Sequence, residues 1–161
     1  MAGVSIFRKC MIHPYKREYK ARCFEIFNEL DGWFGSEEIN SDYANQLSED
    51  GAFVEIVDGR IEGVISIDWH FESTAEIYSM AISLKNHRKG LGRKLMLSAE
   101  NLAKEKGFDF LHVKTLGDEV PHPGYKKTRA FYENYGFKRL FQTKDLWDGL
   151  PTMLYVKSIE Y

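Results

Sequence analysis

The stretch His87-Arg88-Lys89-Gly90-Leu91-Gly92-Arg93 decides how the rest of the chain is read. It stands between a segment with strand character and one in which Leu91, Leu95, Ala99, Leu102 and Ala103 share a helical face. A glycine turn at such a junction presents successive backbone amides at the start of a helix, where the helix dipole favours an anion. Gly90 and Gly92 allow a phosphate to approach the main chain closely. The dinucleotide fingerprint G-x-G-x-x-G fails because position 95 is leucine, and the Walker pattern lacks its Gly-Lys-Ser/Thr. Taken alone, the turn is equally compatible with a plain strand-to-helix connection.

Working outward, the Phe53 to Val57 and Ile61 to Ile67 runs flank Asp58-Gly59, a strong hairpin signal, and a third strand is predicted over about Glu76 to Leu84. Towards the N-terminus, Val4 to Ile12 reads as a first strand. Pro14 then opens a helix carrying Phe24, Phe27 and Leu30, ended by Asp31-Gly32, and a short helix follows over Asp42 to Ser48. Towards the C-terminus, Lys106-Gly107 stops the central helix and Phe110 to Thr115 reads as a buried strand. The stretch Gly117 to Gly124 reads as a loop, Tyr125 to Tyr135 as a helix ended by Gly136, and Phe137 to Thr143 and Thr152 to Ser158 as closing strands. This order predicts an α+β fold: a three-layer α/β/α sandwich around a mixed, mostly antiparallel sheet of about seven strands.

Composition narrows the function. With 161 residues, no repeat and no Pro/Ser-rich linker, residues 1–161 read as one domain. Twenty-two Lys and Arg against 24 Asp and Glu give a net charge of −2, which removes the usual electrostatic reason to expect nucleic acid or an anionic membrane as partner. No apolar run approaches the ~18 to 20 residues of a membrane span, and the start lacks a secretory apolar segment, so a cytoplasmic protein is expected. Cys10 and Cys23 have neither CxxC spacing nor clustered histidines, so free thiols are expected and no metal site. A homodimer is left open.

Two groups of residues extend the glycine turn. They are Ala75-Glu76-Ile77 followed by Ala81-Ile82-Ser83, before it, and the late Phe131-Tyr132-Glu133-Asn134-Tyr135-Gly136-Phe137. In this order and register, over about residues 52 to 158, the chain resembles the GCN5-related N-acetyltransferase (GNAT) superfamily. His112-Val113-Lys114-Thr115-Leu116-Gly117, with Tyr125, Thr128-Arg129 and Trp147, is similar to a little-characterised bacterial subgroup of it. His87 stands where the family commonly has Gln or Arg, Tyr125 where it has Asn, and Thr128 where it has Ala.

The resemblance implies an N-acetyltransferase that uses acetyl-CoA as co-substrate, without a metal, and passes the acetyl group to a primary amine by direct attack. His87, Arg88, Lys89, Gly90, Leu91, Gly92 and Arg93 would then hold the cofactor's phosphates, and the backbones of Met80 and Ile82 its pantetheine arm. Glu76 falls on the catalytic carboxylate, the amide of Met80 on the oxyanion donor, and Tyr132 on the tyrosine beside the leaving thiolate. A base is chemically needed. An amine of pKa ~10.4 is neutral in about one molecule in 2,500 at pH 7, a cost of about 4.6 kcal/mol. The acceptor wall is expected at Trp33, Phe34 and Glu38, with Glu37 and Asp42 in the same acidic loop. His70, His112, His122 and Lys114 read as structural or surface residues. A non-catalytic acyl-CoA-binding module and a transferase of longer acyl chains remain alternatives.

Overall fold

The computed structural model describes residues 9–30 and 32–161; Val4 to Arg8 of the expected first strand, and Asp31, lie outside them. Strands β1 (Cys10–Pro14), β2 (Ala52–Val57), β3 (Arg60–His70), β4 (Thr74–Ile82), β5 (Phe110–Leu116), β6 (Lys138–Trp147) and β7 (Leu150–Ser158) form one sheet in the order β1-β2-β3-β4-β5-β7-β6. Helices α1 (Lys20–Glu29) and α2 (Glu37–Asn45) cover one face, and α3 (Leu91–Glu105) and α4 (Pro123–Tyr135) the other. The expected element order and the mixed, mostly antiparallel seven-stranded sheet are both present. Among the described residues no helix is long and apolar enough to cross a membrane.

Two local expectations change. Pro14 does not start a helix; it closes β1 opposite Phe53, where an edge strand tolerates its missing N–H, and the chain turns helical only at Arg17. The second helix begins at Glu37, earlier than Asp42, because the Ser36 hydroxyl caps it by accepting from the Ile39 amide. Glu37 and Glu38 therefore occupy the favourable first turn of a helix and not a loop.

The sheet has a weak seam. Every neighbouring pair is antiparallel except β4 and β5, which pair in parallel over only Thr74↔Phe110 to Ile77↔Val113. Beyond Ile77, β4 runs on beside β3 while β5 runs on beside β7, so the two halves of the sheet part. A bulge reinforces the departure: Ser66 pairs with Ser79 and Ile67 with Ile77, leaving Tyr78 as an extra residue. The bulge also keeps Ile77 and Met80 both against the α3 core, three residues apart in a strand.

Candidate active site

A cavity of about 630 Å³ occupies the gap between β4 and β5, within the size range of small-ligand sites. Its floor is main chain. Ser83 N donates to Glu62 O at 2.8 Å, and Ile82 is paired with Gly63. In an antiparallel ladder this makes Ile82↔Gly63 a non-hydrogen-bonded pair, so the N–H and C=O of Ile82, and two residues earlier of Met80, point away from β3. On that side β5 has already left, and both residues line the cavity. The Ile82 carbonyl accepts from His87 Nε2 at 2.7 Å, which fixes the proton of that ring on Nε2.

One mouth of the cavity is the start of α3. Gly90 is its N-cap at φ 83°, with no side chain capping the first amides, and Arg88 is also left-handed at φ 60°. Arg88, Gly90, Gly92 and Arg93 line the cavity, with Lys127 from α4 across from them. Uncapped helix amides ringed by cations form an anion site.

The other end holds Glu76, which is 3% exposed yet lines the cavity. Its Oε2 lies 2.5 Å from His70 Nε2 and 3.8 Å from His112 Nε2; its Oε1 lies 3.0 Å from Lys114 Nζ. Strand register creates the cluster, since Glu76 is directly opposite Asp68 on β3 and His112 on β5, with His70 and Lys114 two residues further along. Burial holds the His112 imidazole below its ordinary pKa, against the opposing pull of Glu76. Asp68, His70 and Glu76 bring ligand-type atoms within 4.8 Å of one another, but Lys114 sets a positive charge on the same carboxylate, so the donor set is satisfied as an ion-paired cluster.

Tyr132 lines the cavity from α4 and is almost fully buried, among the rings of Phe131, Phe137 and Tyr155. Burial raises its pKa well above that of a free phenol, so the hydroxyl keeps its proton across the neutral range.

The family model for the acetyltransferase (GNAT) domain matches residues 48–139, more than half of the chain. The chain belongs to the GNAT acetyltransferase family. Solved structures agree at the level of fold. Ard1 from Thermoplasma volcanium is 17% identical, with a TM-score of 0.77 over 94% of this chain and 99% of its own. The ribosomal-protein-S18-alanine N-acetyltransferase from Escherichia coli is 16% identical, with a TM-score of 0.76 over 95% of this chain and 96% of its own. YncA from Salmonella typhimurium, solved with its cofactor acetyl-CoA, is 17% identical, with a TM-score of 0.72 and 95% of each chain covered. No curated protein is detectably similar in sequence.

Within this GNAT chain the sequence-predicted residues divide. Glu76, Met80, Ile82, His87, Arg88, Gly90, Gly92, Arg93, Tyr132, Trp33 and Phe34 all line the cavity. Lys89, Leu91 and Glu38 do not line it. Lys89 Nζ turns back to the Lys85 carbonyl, Leu91 is a core side chain of α3, and Glu38 sits in the exposed first turn of α2. Trp33 closes the cavity over α4: the Tyr125 hydroxyl donates to its carbonyl, and its indole lies so close to Gly124 that a Cβ there would clash with the ring. Sequence reasoning missed Tyr43, Tyr78 and Lys127 as lining residues and read Lys114 as structural. None of the four carries a local signal in the sequence, because Tyr43, Lys114 and Lys127 reach the cavity from elements distant in the chain from the glycine turn and Tyr78 is the extra residue of the bulge. The aromatics are assembled by α2 packing on the bulged strand, with Tyr43 and Tyr78 rings 5.6 Å apart.

Proposed function

We propose that the chain is a single-domain acetyl-CoA-dependent N-acetyltransferase acting on the primary amine of a small molecule or peptide by direct attack. The observation that carries this reading is the pair of main-chain groups at Met80 and Ile82, turned into the β4/β5 gap on a line from the open N-terminus of α3 to Glu76. The residues fit the co-substrate: amides and cations at one mouth suit a pyrophosphate, and a strand edge that β5 has left suits the amide-bearing pantetheine arm. The YncA structure with acetyl-CoA supports the choice of cofactor, and the alanine N-acetyltransferase an amine acceptor.

Acetyl-CoA supplies an activated acyl group; the chain supplies position and proton control. Glu76 takes the proton of the incoming ammonium, directly or through one water. The Met80 amide donates to the oxygen on which negative charge develops. Tyr132, held neutral by burial, hydrogen-bonds the leaving sulfur as it gains charge, while Trp33 and Phe34 wall the acceptor. Neither cysteine lies on the cavity lining, and burial pushes the Cys23 thiol up to about 12, far from a usable nucleophile.

Titration calorimetry with acetyl-CoA and with CoA, followed by a thiol-release assay over a panel of amines, tests the reading. Micromolar binding and amine-dependent CoA release are expected. Binding without turnover over a broad panel would replace the enzyme by an acyl-CoA-binding module, and absence of binding would remove both.

A further inference from the structure

Glu76 is enclosed by more machinery than a general base requires. One oxygen meets an imidazole on β3 and the other an ammonium on β5, so its carboxylate is gripped from both halves of the parting sheet. The two grips differ in exposure. Lys114 faces the cavity, whereas the His70 side chain is 40% exposed and does not line the cavity. Glu76 thus stands between the cavity on one side and a ring in contact with solvent on the other.

We propose that His70 and Lys114 form a two-point clamp that positions Glu76, and that His70 is the residue through which solvent pH reaches this buried base. The proposal rests on Glu76 being the base of the acetyl transfer. A carboxylate oxygen can only accept, so His70 Nε2 carries the proton of the 2.5 Å contact while Glu76 is ionised. Gain or loss of the second imidazole proton then changes the charge touching Oε2 while leaving that hydrogen bond in place. A cationic His70 weakens Glu76 as a proton acceptor; a neutral one strengthens it. The other groups facing them are Asp68 on β3, Tyr78 on β4 and His112 on β5, with Tyr43 and Asp42 from α2. Among these His112 is the alternative switch, but it lies 3.8 Å from the carboxylate and burial lowers its pKa.

The test uses the full chain with a chelator present. An amine found by the panel assay is the acceptor, and His70→Ala, His70→Gln and Lys114→Met are compared with wild type by circular dichroism and acetyl-CoA calorimetry. Expected are unchanged acetyl-CoA affinity in both His70 variants, and kcat lowered about tenfold or more in His70→Ala and in Lys114→Met. Gln, which still donates a hydrogen bond but does not titrate, should recover most of kcat at the optimum while changing the acidic limb of the pH–rate profile. Wild-type kcat in His70→Ala overturns the clamp, and a wild-type pH profile in His70→Gln overturns its role in pH sensing. Proton NMR supplies a readout that needs no turnover: a low-field imidazole N–H resonance lost in both His70→Gln and Glu76→Gln. If that resonance is present but no amine is acetylated, the acetyl-transfer reading fails and the clamp stands. If it is absent in wild type, the clamp fails even in an active enzyme.

Discussion

Two strand glutamates on opposite faces of this sheet are equally hidden from water and differently equipped. Glu76, on the α1/α2 face, is 3% exposed and touches His70 and Lys114, with His112 close by. Glu55, beneath α3, is 0% exposed, and among the described residues neither oxygen has a hydrogen bond and the nearest cation is the Lys94 ammonium at 3.6 Å. At Glu55 burial wins over Lys94 and raises the pKa, whereas Glu76 has an ammonium and two imidazoles arranged around its oxygens. Burial of a carboxylate does not by itself mark a site. A cavity on one side and an arranged set of partners on the other separate the two.

The comparison breaks most visibly in turnover. Glu76→Gln should lower kcat by about 10² to 10⁴ near neutral pH, the usual worth of a positioned base, and by less at high pH, where more acceptor is already neutral. Glu55→Gln should leave kcat within about twofold, because Glu55 is absent from the cavity lining. Steady-state pH–rate profiles of both variants decide it. Equal effects, or a wild-type profile in Glu76→Gln, would erase the distinction.

How far this contrast can be read from the sequence depends on which geometry it needs. Glu76 is singled out in the sequence only by the family resemblance, on the register of Ala75-Glu76-Ile77 before the glycine turn, whereas Asp58-Gly59 by itself correctly marks the β2/β3 hairpin. The same turn chemistry recurs at Asp148-Gly149, with φ angles of 46° and 85°, and joins β6 to β7. The two closing strands are legible but the tight turn between them is not, because the largely exposed Lys144 to Trp147 end of this edge strand lacks the alternation that would extend it to the turn. The partners of Glu76 are hidden for another reason. His70 reaches Glu76 diagonally across the β3/β4 hairpin, six residues away, and Lys114 reaches it only across the four-residue parallel seam, which has no local sequence signature. Glu38 fails in the opposite way: its charge suggests a wall, but Ser36 capping turns it into the solvated first turn of a helix.

Further into the cavity, Tyr132→Phe sharpens the difference between lining the site and serving it. The ring and its aromatic neighbours are retained, so folding and acetyl-CoA affinity should hold. If the hydroxyl meets the sulfur as charge develops, the transfer rate should fall by about 10 to 10³ in single-turnover measurements. A change below about twofold would make Tyr132 a packing residue. At the phosphate end, Gly90→Val should weaken acetyl-CoA binding more than tenfold, about 1.4 kcal/mol, measured by calorimetry on a folded variant. No atom lies within 4 Å of a Cβ at Gly90, so the effect would come from its φ of 83° and the amides this conformation aims, not from crowding in the apoprotein. Unchanged affinity would remove the phosphate assignment.

The smallest effect concerns Glu55 and appears in stability. Its pKa is raised in the folded state, so between the unfolded and the folded value the native protein binds more protons than the unfolded chain, and stability falls as pH rises. Below the unfolded value both states are protonated and the penalty vanishes; above the folded value it is fully present. Glu55→Met removes the charge and both unpartnered oxygens at similar length, and should add about 1 kcal/mol at pH 7.5, within the range seen when buried charges give way to apolar packing. In a chain of this size that amounts to about 2 to 4 °C in melting temperature. Urea unfolding at pH 7.5 and at pH 5 measures it, with the gain expected to shrink at the lower pH as the wild-type carboxyl takes up its proton. A loss of stability at pH 7.5 would mean that Lys94 compensates Glu55 fully. A gain of the same size at both pH values would assign the benefit to packing alone, and in either case the two glutamates would no longer differ in how their charge is met.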